Sequence, residues 1–204
     1  MKNNIILSIF LAFVSAHSLA QGNSEFDRKK EIVIEGNRYR FYNNYLTIGA
    51  GYGSNSYTRD YQFNLGGDFN FHILKQNFQL GGFLAGQGFG NYNNIQAHFA
   101  YGKRFEQKSF NLAGYFGVSY SSMNRSFEDD TLGVIFRYIQ EPGFHACIQG
   151  TYKFKYDLGI GLSVFADVNK AQRVYGIRGE LFLSGSYKGR KVKKGTSEPE
   201  GGNN

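Results

Sequence analysis

The stretch that decides the fold is Tyr61-Gln-Phe-Asn-Leu-Gly-Gly-Asp-Phe-Asn-Phe-His-Ile73. Its apolar residues Tyr61, Phe63, Leu65, Phe69, Phe71 and Ile73 alternate with Gln62, Asn64, Gly66, Asp68, Asn70 and His72. Successive side chains of an extended chain point to opposite faces, so a period of two marks a strand with one greasy and one polar side. Outward from this stretch the same alternation recurs. Leu46, Ile48, Ala50 and Tyr52 mark a strand before it, and Phe78, Leu80 and Leu84 mark one after it that glycines interrupt. Ile95, Ala97, Phe99, Tyr101 and Phe105 follow, then Phe110, Leu112, Phe116, Val118 and Tyr120. Phe144 to Phe154, Leu158 to Val168 and Tyr175 to Tyr187 complete a set of eight.

Short polar turns at 75–77, 106–108, 156–157 and 169–172 and longer links at 54–60 and 90–93 join these segments. No helix-length amphipathic segment intervenes, so neighbours are expected to pair antiparallel as a meander. The segment Met123 to Pro142 resists the scheme. An extra membrane strand there would make the count odd, so it is read as the main extracellular loop.

Alternation does not say which face is inside; composition does. The chain has 27 Gly, 20 Phe and 15 Tyr, against 2 Pro and 2 Met. A soluble barrel fills its interior with the apolar face and shows water a face rich in Lys and Glu. Here the polar face is Gly, Gln, Asn, Ser and Ala, as in a crowded interior, and charges gather in turns and tail. The apolar face is therefore expected to look outward, into lipid. Its aromatics Tyr45, Tyr61, Phe71, Phe78, Tyr92, Phe105, Phe110, Tyr120, Phe144, Tyr156, Tyr175 and Tyr187 lie towards strand ends, where they would form girdles at the two interfaces. Lys103 would face lipid near one end and snorkel to headgroups. Closure is required as well, because an open sheet edge in hydrocarbon leaves unpaired backbone groups at several kcal/mol each.

The expectation is an all-β fold: an eight-stranded antiparallel up-and-down transmembrane β-barrel over residues 44–187. Alternating segments of about ten residues joined by short turns resemble the small outer-membrane barrels of the OmpA and OmpX type. The dense Gly, Tyr and Phe usage and the hydrophilic tail resemble barrels of Bacteroidota. The resemblance is architectural and implies a place in a bacterial outer membrane.

The flanks fit export. Residues 1–20 read as a signal peptide, with Lys2, an apolar run from Ile5 to Val14, and small Ser18 and Ala20 before a cut at Gln21. Residues 21–43 form a periplasmic segment. Within it Glu31 to Tyr42 reads either as a hairpin around Gly36-Asn37 or as the lead-in to the first strand. Residues 188–204 are Gly-rich, basic and expected to be a disordered periplasmic tail. An even strand count puts both termini in the periplasm.

Parity points Asp68, His98, Arg104, His145, Lys153, Asp167, Arg178 and Glu180 inward, with His72, Cys147, Gln62, Gln96 and Gln149. Such charges must pair or be costly, so they are expected to form a polar network that plugs the lumen. Two alternatives stand beside this: a narrow pore for protons or small solutes, and a lipid-modifying enzyme using His145 with Ser119, Ser121 and Asp167. No G-x-S-x-G signature accompanies the latter. Cys147 is the only cysteine, so no internal disulfide, cofactor or metal is expected. The net charge of +7 resides largely in the tail, and export separates the chain from nucleic acid. The expected function is a non-catalytic structural or accessory subunit of a cell-envelope complex. Its partners would be outer-membrane lipid and other envelope proteins, with Ile32, Ile34, Tyr39, Phe41, Phe136 and Tyr138 as contacts.

Overall fold

Alternating sequence and antiparallel pairing together give eleven strands in a computed structural model that describes residues 31–57, 61–73, 76–88, 91–129 and 133–190. They are β1 (Glu31–Ile34), β2 (Asn37–Arg40), β3 (Tyr45–Asn55), β4 (Tyr61–Ile73), β5 (Gln76–Gly88), β6 (Asn91–Glu106), β7 (Phe110–Asp129), β8 (Gly133–Lys155), β9 (Leu158–Asn169), β10 (Arg173–Ser184) and β11 (Tyr187–Arg190). The signal peptide, residues 21–30 and the tail from 191 lie outside the described residues.

β3 to β10 form a closed eight-stranded barrel in which each strand pairs antiparallel with its neighbour in sequence. The circle is completed by β10 on β3, in unbroken register from Val174↔Asn55 to Ser184↔Tyr45. Strands of 11 residues or more meet or exceed the 9–11 that a tilted strand needs to cross a bilayer core. Consecutive residues show which face is which. Ile148, Leu162 and Ile177 are 59%, 59% and 51% exposed, whereas Gln149, Ser163 and Arg178 beside them are 1%, 0% and 1%. The barrel is inside out relative to a soluble protein, as a transmembrane barrel must be.

Aromatics cluster at both rims of this wall. Phe69, Phe71, Phe78 and Phe99 stack in a row with centroids 5.6–5.7 Å apart near one end. Tyr52, Tyr61, Tyr120 and Tyr175 are exposed near the other. Phe105, Phe110 and Lys103 are exposed at the first end, as expected. Three girdle expectations are corrected. Tyr45 is 2% exposed because Leu46 takes the outward position and parity turns Tyr45 into the lumen. Tyr156 is 3% exposed, in the β8–β9 turn against Lys153, and Tyr187 belongs to β11, outside the barrel.

β1 and β2 do form a hairpin, turning at Glu35-Gly36, where both φ values are positive (51° and 78°). That is the two-residue turn whose twist suits a hairpin, and glycine supplies one of its positions freely. A two-stranded hairpin is marginal alone. It gains a third strand from the far end of the chain: β11 pairs with β2, Tyr187 opposite Tyr39 and Arg190 opposite Asn37. The barrel therefore ends at Ser184 and not at 187, and residues 188–190, read from composition as the start of a disordered tail, are a strand. The free edge of β2 provides the hydrogen bonds that composition does not reveal. Tyr39 packs between Tyr156 and Tyr187, and Glu31 pairs with Arg38 and Lys188. Because β2 leads into β3 and β11 follows β10, this small sheet is a clasp over the seam that closes the barrel.

At the opposite end β7 and β8 run past their other neighbours. The last β6 partner of β7 is Met123 with Asn94, and β8 meets β9 only from Gly143 onward. Beyond that the two pair with each other out to Asp129↔Gly133. Within the segment read as the main loop, residues 124–129 and 133–138 thus form a projecting two-stranded ribbon, an extension of β7 and β8. Its β-branched and aromatic run at 134–139 suits continued pairing, and the even strand count is kept.

Two outcomes follow. Leu162→Arg, at mid-wall, should lower the free energy of folding into lipid vesicles by about 2–4 kcal/mol, read from denaturant titration. An unchanged midpoint would deny that Leu162 meets hydrocarbon. The Glu31 carboxyl is held below the ordinary glutamate value of about 4.3 by hydrogen bonds from Lys188 and then Arg38. A lowered folded-state value contributes pairing above that pH and loses it as pH falls through the folded value. Amides of β11 should therefore exchange faster relative to barrel amides at pH 3 than at pH 6, and Glu31→Gln should abolish the difference.

Candidate functional site

The residues that carry chemistry meet in the lumen, since the inward positions of all eight strands converge on one narrow space. At its core is Asp68 of β4. Its Oδ2 accepts from Arg178 Nη2 at 3.0 Å and from Gln149 Nε2 at 3.3 Å, and its Oδ1 lies 3.1 Å from His98 Nε2. Arg178 also faces Glu180, Nε to Oε1 3.6 Å, and its guanidinium lies 4.8 Å from the Phe165 ring centre. Ser163 donates to Glu180. The His98 ring stacks on His145 at 3.8 Å, nearly parallel. His145 Nδ1 is 3.6 Å from Asp167, which accepts from Gln96 Nε2 at 2.8 Å and Ser121 Oγ at 3.3 Å.

Two further tiers close the ends. Towards the clasp, Glu106 pairs with Lys153 at 2.7 Å and Arg104 at 2.8 Å. Arg104 also donates to Asn111 and the Asn43 carbonyl, and packs over Tyr45. Towards the ribbon, Asn55 donates to Gln172 at 2.8 Å and Gln62 at 3.2 Å. The four carboxylates Asp68, Glu106, Asp167 and Glu180 thus face three permanent cations, with imidazole, amide and hydroxyl groups around Asp167. In a space of low dielectric, pairing of this kind is what makes buried charge tolerable.

Glycines make room for it. A Cβ on Gly66 would sit 1.8 Å from Arg178 Nη1, one on Gly81 2.1 Å from Asp68 Oδ1, and one on Gly49 2.7 Å from Glu180 Cγ. These positions on β3, β4 and β5 are empty of side chain because the ion cluster from β4 and β10 occupies their space.

The lumen is bridged across its width. In the ring order, β3 lies opposite β7, β4 opposite β8 and β5 opposite β9. Tyr45 and Tyr115 hydroxyls meet at 3.2 Å across the first diameter. Asp68 and Gln149 span the second, and Phe83 and Phe165 rings, 5.1 Å apart, the third. The interior is consequently not the purely polar space that alternation implied. Phe83, Phe165 and Phe182 are 2%, 2% and 1% exposed, and a Cβ on Gly176 of the adjacent β10 would sit 2.5 Å from the Phe165 ring.

All eight expected network residues are brought together, in the central and clasp-side tiers. His72 is half-buried near the clasp end and Cys147 is packed in an apolar cluster with Phe83 and Phe165. Reading from sequence missed Glu106, taken for a turn residue, and the Tyr45–Tyr115 pair. Parity from Arg104 would have turned Glu106 inward. Ser121, Asp167 and His145 do adjoin, and Ser119 stands opposite His98 in register, but each is 6% exposed or less. Among the described residues no group of His, Cys, Asp and Glu is arranged to hold a metal. Of the contact candidates, Ile32, Ile34 and Phe41 are half-buried and Tyr138 is 59% exposed; Phe136 lies on the ribbon. Tyr39 is 7% exposed and is consumed within the clasp, a correction to its role as a free contact; Val33, at 49%, is the exposed apolar residue there.

No protein-family model matches the chain, and no curated protein does. Solved structures with a similar fold include the N-terminal β-barrel domain of Pseudomonas aeruginosa OprF, at 10% identity over 69% of this chain and 98% of that one, TM-score 0.48. Neisserial surface protein A matches at 11% identity over 69% and 96%, TM-score 0.48. The attachment invasion locus protein Ail of Yersinia pestis matches at 12% identity over 72% and 99%, TM-score 0.45.

Arg178→Met should strip Asp68 and Glu180 of their cation and lower barrel stability by about 3–5 kcal/mol. The measurement is the temperature at which the folded band converts to the unfolded one in detergent electrophoresis. Gly66→Ala should shift it the same way, by collision with the same guanidinium.

Proposed function

We propose that the chain is a non-catalytic outer-membrane β-barrel that serves as a structural or accessory subunit of a cell-envelope complex, its clasp end in the periplasm. The observation that carries this reading is the contrast between lumen and ends. Inside, side chains of the described residues touch across three diameters, and the Ser, His and Asp groups are buried among them. Outside, ordered β-structure extends beyond the membrane wall at both ends, as the clasp and the ribbon. Exposed strand edges of this kind accept partner strands through backbone hydrogen bonds. The apolar wall supports a bilayer as the solvent of residues 45–184, and a closed barrel with aromatic rims is the form that outer membranes hold.

Purification from membranes in mild detergent tests the role. Other envelope proteins should co-purify with the intact chain, and removing residues 124–138 or the clasp should release some of them while the barrel still folds. A bare barrel whose deletion alters no other envelope protein would count against the proposal. In planar bilayers the purified chain should give no discrete conductance steps; regular steps would favour a pore instead.

A further inference from the structure

The clasp does not lie flush against the barrel. At the rim formed by the β8–β9 turn and the end of β10 are two open recesses of about 480 and 520 Å³ that share Lys155 and Asp157. The first is otherwise lined by Leu158, Leu183, Ser184 and Gly185, the second by Glu35, Asn37, Tyr39 and Tyr187. Sharing Lys155 and Asp157, they adjoin as one groove along the rim, of which the clasp walls only the second part.

Its chemistry is divided. Leu158 and Leu183 are register partners at the last step of the β9–β10 ladder. Above them the outward wall continues through Ile160 and Leu181, each 55% exposed. One end of the groove therefore opens directly onto the lipid-facing surface. The other end holds one cation, Lys155, and two carboxylates, Asp157 and Glu35. Among the described residues none of the three has an ion-pair partner, unlike Glu31 and Lys188 on the same clasp. Burial and the nearby Asp157 carboxylate both hold the Tyr39 hydroxyl, which is hydrogen-bonded to Asn37, in its neutral form, so Tyr39 adds no charge to the groove.

We propose that this groove binds the headgroup of an amine-bearing phospholipid, one phosphoethanolamine per barrel. The primary ammonium is held by Asp157 and Glu35, the phosphate by Lys155, and the acyl chains lie over Leu158, Leu183 and the wall above. A single cation with two carboxylates disfavours a headgroup that carries only negative charge. A trimethylated amine has no N–H to donate to the carboxylates. The ligand thus has to bring an ammonium and a phosphate at once, attached to hydrocarbon. The site gives the clasp a role beyond pairing the chain ends, as a shelf that seats a lipid of the inner leaflet. This rests on the membrane reading above, with the clasp end on the phospholipid side.

The test places the full mature chain in nanodiscs containing equal amounts of phosphatidylethanolamine, phosphatidylcholine and phosphatidylglycerol with identical acyl chains. Lipids retained after release are counted by native mass spectrometry. One phosphatidylethanolamine should be retained in preference to the other two. Asp157→Asn with Glu35→Gln should lower its preference over phosphatidylcholine by about fivefold, the upper range for partly exposed charge pairs. Lys155→Gln should weaken retention of all three. These residues are at the surface, so folding of each variant is checked by its heat-modifiable mobility. Insertion without lipid preference, or a preference unchanged in the Asp157→Asn, Glu35→Gln variant, overturns the headgroup site alone. Failure to insert into any bilayer overturns it together with the membrane reading.

Discussion

The pairing of β10 with β3 is the constraint on which the rest of the molecule depends. In hydrocarbon an unpaired strand edge cannot turn to water, so the barrel exists only if its first and last strands meet in register. Eleven consecutive residue pairs achieve this, from Val174↔Asn55 to Ser184↔Tyr45. The clasp extends the same seam beyond the membrane, where Arg40 N–H donates to the Ser186 carbonyl and β11 takes up the edge of β2. Ends that are far apart in the chain are held together twice, once by the ladder inside the wall and once by the sheet beneath it.

Closing eight strands fixes a lumen barely wider than the side chains it contains. Every other residue then faces a choice between small, paired and excluded. Glycines at 49, 66 and 81 yield their space to Glu180, Arg178 and Asp68, and Arg178 in turn pairs with both carboxylates. Phe83 and Phe165 close a gap that polar groups alone would leave wet and open. The result is a lumen crowded by side chains that meet from opposite walls.

Legibility of the sequence followed the same division. Within the barrel, alternation such as that of 61–73 identified strands, and the scarcity of Lys and Glu on the polar face identified the interior. Parity then delivered Asp68, His98, His145, Asp167, Arg178 and Glu180 to one space without any knowledge of register. Parity failed where a residue was assigned by its neighbourhood instead. Tyr45 was grouped with the rim aromatics and Glu106 with a turn, although each faces the lumen.

Composition was a weaker guide outside the wall. Residues 188–190 look solvated in isolation, and the segment 123–142 carries no turn pattern of its own. Both became strands because a partner edge was available: β2 for the first, and the continuing β7–β8 ladder for the second.

By itself, then, the sequence determined the number of barrel strands, their antiparallel order and the direction each face looks, because a period of two is a local property of the chain. Only the tertiary structure decided which inward groups touch, that opposite walls meet across the lumen, and that the two ends of the chain share one sheet. Those depend on stagger and closure, which bring residues a hundred positions apart into contact and leave no trace in local spacing.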